Sequence, residues 1–499
     1  MGPLGTLKSR LTPFAPAILQ FFFWASLWFG LQSGNIEKIG STRDLWSEFQ
    51  NFRALVPLLA GTVGFIVIAY GLIGRWSLRR IFFGPMGLMV VYGFVGIVSA
   101  LLSPDFTVAI YWVGIYLAVP FVAWAVASRE DSLAQVSHLL KFNWFVVISA
   151  VVILIVVAFL FLNLHKIILE PSNLLECRLR ASFHGESWLE ITSGKLRSTG
   201  VGRYAAIAAI VALGGLWQGR GRYIWGLILV GAMLLLVTSG ARASFVGFGF
   251  AAALVIFLQG GWKAALAVFG GMVVVGAIFW SVGLDRTILE RCFLSGYQAG
   301  TSLLRVSSPT SVALAGPTKA PDNPDSNEIT AQIKSSQDPG LGENEGANNQ
   351  FGGILVPSGL FTFSGRTVVW KAGWELLKSS PLLGYGFQGD RLVLGTHMHN
   401  AVLQALFQTG WFGFIPFAGA LIWGWFSLIR ALTALSRLPV AHKQLLIQTA
   451  GILTFLTLRT IWESTGAFFG VDWLILSVIF LYIQLINTKL GERSEIPSV

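Results

Sequence analysis

The stretch FNWFVVISAVVILIVVAFLFLNL, residues 142–164, decides the class of fold. It contains no charged residue and is as long as the roughly 20 residues that an α-helix needs to cross a bilayer. Similar blocks recur along the 499 residues, and only 12% of the chain is charged, against roughly 25% in soluble domains. These features exclude a soluble enzyme and a disordered chain. They predict an all-α, polytopic integral membrane protein.

The apolar blocks predict about twelve transmembrane helices. Their ends are set by the first and last apolar residues of each block, and Trp is frequent near those ends, as expected at a membrane interface. The predicted spans are 14–32, 54–74, 81–102, 106–127, 142–164, 204–218, 222–239, 243–258, 262–283, 398–427, 445–461 and 467–487.

Lysine and arginine are unevenly distributed among the segments between the spans, and the excess lies on the side that holds the N-terminus. Because short cytoplasmic loops collect these residues, both termini are predicted to be cytoplasmic. The same bias accounts for the net charge of +11, and no basic, aromatic-rich soluble segment suggests a nucleic-acid partner. The resulting organisation is helices 1–5 in 1–164, a first outer loop in 165–203, helices 6–9 in 204–283, a large outer loop in 284–397, helices 10–12 in 398–487 and a tail in 488–499.

The large outer loop has two parts of different composition. Residues 298–350 are rich in Ser, Pro, Asn, Asp and Gly and predict a flexible insertion without chemistry. Residues 364–380 predict an amphipathic helix that begins at a capping serine, Ser364, and stops before a proline. The two cysteines, Cys177 and Cys292, fall one in each outer loop. They cannot form a thiolate metal cluster, and a disulfide between them remains open.

Arg242 is the first candidate for chemistry. It lies in TSGARAS, residues 238–244, between two apolar runs. A charge inside a span costs roughly 2.5–3.5 kcal/mol, so such a residue is a functional candidate. The alternative is an arginine that extends to the membrane surface and marks the end of a helix.

Arg366 is the second candidate, in the segment SGRT that opens the amphipathic helix. Backbone N–H groups at a helix N-terminus lack partners and favour an anion, which the guanidinium would also attract. The alternative is an ordinary surface arginine. Arg203 opens the sixth span, where it either marks the membrane edge or joins the site.

The third candidate is THMHN, residues 396–400, where the chain re-enters the membrane. His397 and His399 have no carboxylate close in the sequence, so they make a poor zinc site. A neutral imidazole suits a general base or a hydrogen-bond partner, and Asn400 could orient it. The alternative is a pair of interfacial histidines. Arg459 and Glu463, spaced i, i+4, predict a structural ion pair on one helix face.

Three segments together resemble the O-antigen ligase/polymerase superfamily of bacterial surface-glycan assembly (Wzy_C-like domain). The segments are TSGARASFVGF, SGRTVVWKAGWELLKSSPLLGYGFQG and HMHNAVLQALFQTGWFGF. The second and third resemble the family pattern closely in order and spacing. The first departs from it, because Ala241 stands where the family often has serine before its arginine.

The resemblance implies a glycosyl transfer that needs no metal and no cofactor. The donor would be a glycan on undecaprenyl pyrophosphate, and the acceptor a hydroxyl of lipid A–core. The enzyme would span the bacterial inner membrane among its lipids, with its active site and outer loops in the periplasm. The family uses two arginines and one histidine from these segments, which implies catalytic roles for Arg242, Arg366 and His399. Arg203, His397 and Asn400 are expected to bind substrate.

Physical chemistry agrees with these roles. Breaking a sugar–pyrophosphate bond puts negative charge on the leaving group, and arginine binds phosphate oxygens in a two-pronged fork without losing its own charge. Polymerisation of O-antigen or exopolysaccharide, or glycosylation of a protein, would use the same donor and stays open. A polysaccharide transporter or flippase is the alternative from another class, but transporters hold ionisable residues near the bilayer midplane rather than at its outer edge.

Overall fold

A computed structural model describes residues 15–31, 45–73, 83–127, 132–161, 198–216, 221–239, 241–266, 270–271 and 366–494. All regular structure within these ranges is helical. Seven of the described helices are long and apolar enough to cross a membrane, and two shorter apolar helices, Pro85–Ala100 and Arg222–Val237, accompany them. The polytopic all-α class is therefore confirmed, whereas the number of twelve spans stays a prediction.

We number the described helices in chain order. They are α1 Ala15–Phe29, α2 Leu45–Ile73, α3 Pro85–Ala100, α4 Phe106–Ala127, α5 Ser132–Phe161, α6 Ser198–Leu216, α7 Arg222–Thr238, α8 Arg242–Gly260, α9 Arg366–Leu377, α10 Gly389–Leu394, α11 Ala401–Thr433, α12 Val440–Arg459 and α13 Val471–Ser494, with a 3₁₀ turn at Leu435–Arg437 before α12.

The agreement between the predicted spans and these helices varies along the chain. The span 106–127 coincides with α4, whereas α5 begins ten residues before the predicted 142, because the more polar residues 132–141 belong to the same helix. The last span begins at Val471 rather than 467, since turns occupy 460–470. Most of the span 262–283, the insertion 298–350, Ser364 and both cysteines lie outside the described residues.

Helices α13 and α6 form the centre of the described bundle. The apolar windows of α13 and α6 are 83% and 72% buried. Helix α13 contacts α5, α11, α4, α12 and α3, so almost its whole circumference is covered. Small residues allow such close approach. A Cβ on Gly451 of α12, for example, would lie 2.8 Å from the Ile210 side chain of α6.

Helix α11 is broken in its first third. Gly410 has φ 57° and ψ −163°, so the helical hydrogen-bond ladder is interrupted there. The loop after α9 fills the break, because Phe412 N–H donates to the Leu382 carbonyl at 3.1 Å and Tyr385 N–H donates to the Phe407 carbonyl at 2.8 Å. The second and third family-like segments are thereby joined backbone to backbone.

Three helix ends lie together at this end of the bundle: the start of α11, the start of α9 and the end of α12. Ala401 N–H donates to the Thr460 carbonyl at 2.9 Å, and the Asn400 amide donates to the Ile461 carbonyl at 3.0 Å. The connection 460–470 between α12 and α13 is therefore the surface against which the residues before α11 are fixed.

Candidate functional site

The connection between α12 and α13 brings two of the three predicted catalytic residues together. Arg366 opens α9, and its Nη1 donates to the Trp462 carbonyl at 2.8 Å. Its Nη2 lies 3.7 Å from Glu463 Oε1. The Arg366 side chain is 26% exposed, so part of the guanidinium remains accessible while the rest is held in place.

His399 contacts the other oxygen of the same carboxylate. Its Nδ1 lies 3.4 Å from Glu463 Oε2, and a carboxylate can only accept, so Nδ1 is the donor. In the neutral ring Nε2 then carries the lone pair, as a general base requires. The His399 backbone has φ 50°, a left-handed conformation that non-glycine residues adopt rarely and mostly at functional sites.

Glu463 is thus the residue that links the two segments. Burial alone would raise its pKa, but the hydrogen bond from His399 and the positive charges of Arg459, His399 and Arg366 outweigh burial and lower the pKa of Glu463 to about 2. The carboxylate is therefore ionised at any physiological pH. It holds Arg366 and His399 in a fixed relation to each other.

His397 forms a second pair with a carboxylate. Its Nδ1 lies 2.8 Å from Oδ2 of Asp390, which opens α10 and is fully buried. The rings of His397 and His399 are 5.0 Å apart. Asn400 caps α11 by accepting the Leu403 N–H at 2.9 Å, so both polar atoms of its amide are already used to position this segment.

Arg203 lies in a neighbouring charged cluster. Its Nη1 is 3.5 Å from Asp472 Oδ1 at the start of α13, and Arg459 Nε is 3.5 Å from the other oxygen of Asp472. The Arg203 side chain is 20% exposed, whereas Arg459 is buried. Arg203 therefore faces the accessible side of the cluster and Arg459 its interior.

Arg242 starts α8 at the same end of the bundle. Its side chain lies outside the described residues, but its neighbours are in place. Ser244 Oγ accepts from Arg459 Nη1 at 3.4 Å, and a Cβ on Gly202 would lie 2.3 Å from the Ala241 Cβ. The backbone of Arg242 is therefore next to the cluster of Arg203 and Arg459.

The predicted ion pair between Arg459 and Glu463 is wrong. Helix α12 ends at Arg459, so the i, i+4 spacing no longer places the two side chains on one helix face. Arg459 turns inward to Asp472, and Glu463 turns outward to Arg366 and His399.

The sequence reasoning missed Asp390, Glu463 and Asp472 as members of the site. A sequence signal existed for Asp472, because an acidic residue that enters an apolar span usually has a partner. For Asp390 and Glu463 no such signal exists, since both lie in ordinary polar connections.

This arrangement is suited to an anionic substrate. Three guanidiniums, those of Arg203, Arg366 and Arg459, surround the two carboxylates of Glu463 and Asp472, so positive charge is in excess there even before Arg242 is counted. The imidazoles of His397 and His399 lie at the edge of this charged cluster. Among the described residues, no group of three or more His, Cys, Asp or Glu is placed to hold a metal ion.

Fold and site together define a polytopic helical membrane protein with a cationic, imidazole-bearing cluster at one end of its bundle. Residues 227–418 match the family model described as O-antigen ligase, Wzy_C, and this match confirms the resemblance for that part of the chain. This match spans α8, α9 and α10, most of α7 and the first half of α11, including Arg242, Arg366 and His399.

The chain is also similar to the Exopolysaccharide production protein ExoQ of Rhizobium meliloti (strain 1021). The two are 31% identical over 109 residues, which is 18% of this chain and 25% of ExoQ. The chain thus spans about a quarter of the length of this curated relative.

Proposed function

We propose that this protein is a glycosyltransferase that moves a glycan from undecaprenyl pyrophosphate to a hydroxyl of lipid A–core at the periplasmic face of the bacterial inner membrane. The observation that carries the proposal is the convergence of Arg366 and His399 on one carboxylate, Glu463. The match of residues 227–418 to the O-antigen ligase family supports it.

Each residue of the site has its own role in the proposed reaction. The Nε2 lone pair of His399 takes the proton of the acceptor hydroxyl while the oxygen of that hydroxyl forms a bond to the anomeric carbon. The bond from that carbon to the diphosphate oxygen breaks, and the leaving diphosphate keeps the electron pair. Arg366 and Arg242 meet the developing charge, which fixed cations stabilise without reorganisation. Arg203 and His397 bind substrate, and Asn400 fixes the segment that carries His399.

No divalent cation takes part in this scheme. The guanidiniums carry out the charge stabilisation that a metal ion supplies elsewhere. Attack opposite the leaving group inverts the anomeric centre, so linkage analysis of the product tests the direction of attack.

Polymerisation is the second candidate, in which the acceptor is the sugar end of another lipid-linked glycan. The similarity to a protein of exopolysaccharide production favours it. Deletion of the gene separates the two reactions. Loss of a ligase leaves bare core while lipid-linked polymer accumulates, whereas loss of an O-antigen polymerase leaves core with a single repeat unit.

A transfer assay with the full chain tests the proposal. It uses a purified lipid-linked glycan and defined acceptors, with metal chelated. We expect Arg366→Ala and His399→Ala each to lower kcat by about 100-fold or more. Lys371→Ala on the exposed side of α9 and His138→Ala on α5 are the controls. Full transfer by both site variants, or turnover only with added magnesium, contradicts the proposal.

A further inference from the structure

Two buried tyrosines support the connection 460–470 from inside the bundle, and the proposed reaction assigns them no role. Tyr92 of α3 donates to the Ala467 carbonyl at 2.8 Å, and Tyr116 of α4 donates to the Gly466 carbonyl at 3.2 Å. Both side chains are completely buried. Neither α3 nor α4 carries a charged residue of the site, so these hydroxyls link the connection to a separate part of the bundle.

The Tyr92 hydroxyl also links the connection to the broken helix α11. Its oxygen lies 2.9 Å from the side-chain amide of Gln408, two residues before the break at Gly410. A hydroxyl carries one hydrogen, which goes to the Ala467 carbonyl, so the Gln408 amide faces Tyr92 with its nitrogen after a half turn. Without that half turn the nitrogen is buried and has no hydrogen-bond partner among the described residues. Tyr92 therefore accepts from α11 and donates to the connection.

Aromatic packing fixes the positions of the two hydroxyls. The Tyr116 ring stacks on Trp473 of α13 with 4.6 Å between centroids and 2° between planes, and Trp473 Nε1 donates to the Tyr116 carbonyl at 3.0 Å. The Tyr92 ring packs edge-on against Tyr116 at 5.4 Å, and Phe387 lies 5.4 Å from both rings. Side chains packed in this way have little freedom to move.

Glu463 lies between this support and a second one. On its N-terminal side the Ala401 N–H donates to the Thr460 carbonyl at 2.9 Å, and on its C-terminal side Ser464 Oγ donates to Gln404 at 3.3 Å. The contacts of the Glu463 carboxylate itself are long, 3.4 Å and 3.7 Å, and contacts of this length do not fix a side chain on their own. The position of the carboxylate therefore depends on how the connection is held.

We propose that Tyr92 and Tyr116 are positioning residues for glycan transfer. Through the backbone of the connection they set the position of the Glu463 carboxylate, and through that carboxylate the relative position of Arg366 and His399. The inference rests on the proposed function, because it requires Arg366 and His399 to act together in the transfer.

The first test is steady-state glycan transfer by the purified full chain from a lipid-linked donor. Tyr92→Phe and Tyr116→Phe remove only a hydroxyl. We expect each to lower kcat by about 3- to 10-fold, the equivalent of one net hydrogen bond, and to change KM by less than about twofold. KM stays nearly constant because neither tyrosine contacts substrate.

The matched control is Tyr482→Phe on α13. Tyr482 is also completely buried, and its hydroxyl donates to a backbone carbonyl, that of His442, at 3.3 Å. His442 lies near the start of α12, about 25 Å along the helix from Arg459 at the site. Tyr482→Phe should therefore leave kcat unchanged. A loss of kcat as large as that in Tyr92→Phe and Tyr116→Phe overturns the inference.

A double-mutant cycle with Glu463→Gln separates positioning from a general loss of stability. We expect Glu463→Gln alone to lower kcat at least as much as either tyrosine variant. In the Glu463→Gln background, Tyr92→Phe and Tyr116→Phe should lower kcat by less than about twofold more, because the carboxylate that they position is gone. Losses that multiply in full contradict the inference.

A second measurement needs no turnover. At pH 7 the Tm difference between the chain with Glu463 and the chain with Glu463→Gln should be about 3 °C. In the Tyr92→Phe and Tyr116→Phe backgrounds we expect it to fall by at least half, and in Tyr482→Phe to stay at full size. A full-sized difference in both site backgrounds overturns the inference. If the unaltered protein transfers no glycan but the difference falls as expected, the proposed function fails and the positioning of Glu463 by the two tyrosines stands.

Discussion

Replacing Glu463 by glutamine removes the charge that Arg366 and His399 share while leaving a side chain of the same shape. The carboxylate lies 3.7 Å from Arg366 Nη2 and 3.4 Å from His399 Nδ1, and its side chain is only 13% exposed. Glutamine keeps one acceptor oxygen, so what is lost is the interaction of a negative charge with the cations around it.

The pKa of Glu463 sets the magnitude. It lies at about 2 instead of the ordinary 4.5. One pH unit of difference corresponds to about 1.4 kcal/mol, so the ionised carboxylate contributes about 3 kcal/mol to folding. The pKa of Glu463 is lower in the folded protein than in the unfolded chain. Its contribution to stability is therefore complete above pH 4.5 and disappears as pH falls toward 2. For a chain of this length it corresponds to a shift in Tm of about 3 °C.

Thermal unfolding of the full chain in detergent, followed by tryptophan fluorescence between pH 3 and pH 7, measures this contribution. We expect Glu463→Gln to unfold about 3 °C below the unaltered protein at pH 7, with the gap closing by more than half at pH 3. The control is Glu375→Gln, which removes an exposed carboxylate of α9 that is paired with Lys378 in the following turn and should change Tm very little. A difference in Tm between Glu463→Gln and the unaltered protein that stays the same from pH 7 to pH 3 would refute the reasoning.

The other predictions concern the buried charges and the break in α11. Asp472→Asn removes the carboxylate that Arg203 and the buried Arg459 share, and loss of one partner of a buried pair costs about 3–5 kcal/mol, so its Tm at pH 7 should lie below that of Glu463→Gln. Gly410→Ala places a Cβ 2.2 Å from the backbone of the loop after α9 and should abolish the monodisperse peak in size-exclusion chromatography. Gly261→Ala, also at positive φ but in open space, should cost only about 1–3 kcal/mol of backbone strain and keep that peak.

The break in α11 shows why the sequence predicted one span where the structure has two helical segments. The block 398–427 is apolar throughout, and Gly410 is one of 56 glycines. Hydropathy reports whether a segment fits a bilayer and is insensitive to the backbone conformation of one glycine. Only the loop at Leu382, which satisfies the hydrogen bonds of the break, shows that the helix is interrupted.

The sequence by itself determined the class of fold, most helix positions and the segments that carry the candidate residues, because apolar length and isolated charges in apolar surroundings are local properties of the chain. Tertiary structure alone decided which carboxylate each cation and imidazole contacts. Glu463 contacts Arg366 and His399, and Asp472 contacts Arg203 and Arg459. These contacts depend on where α12 ends and on the path of its connection to α13. Both features follow from packing between segments far apart in the chain.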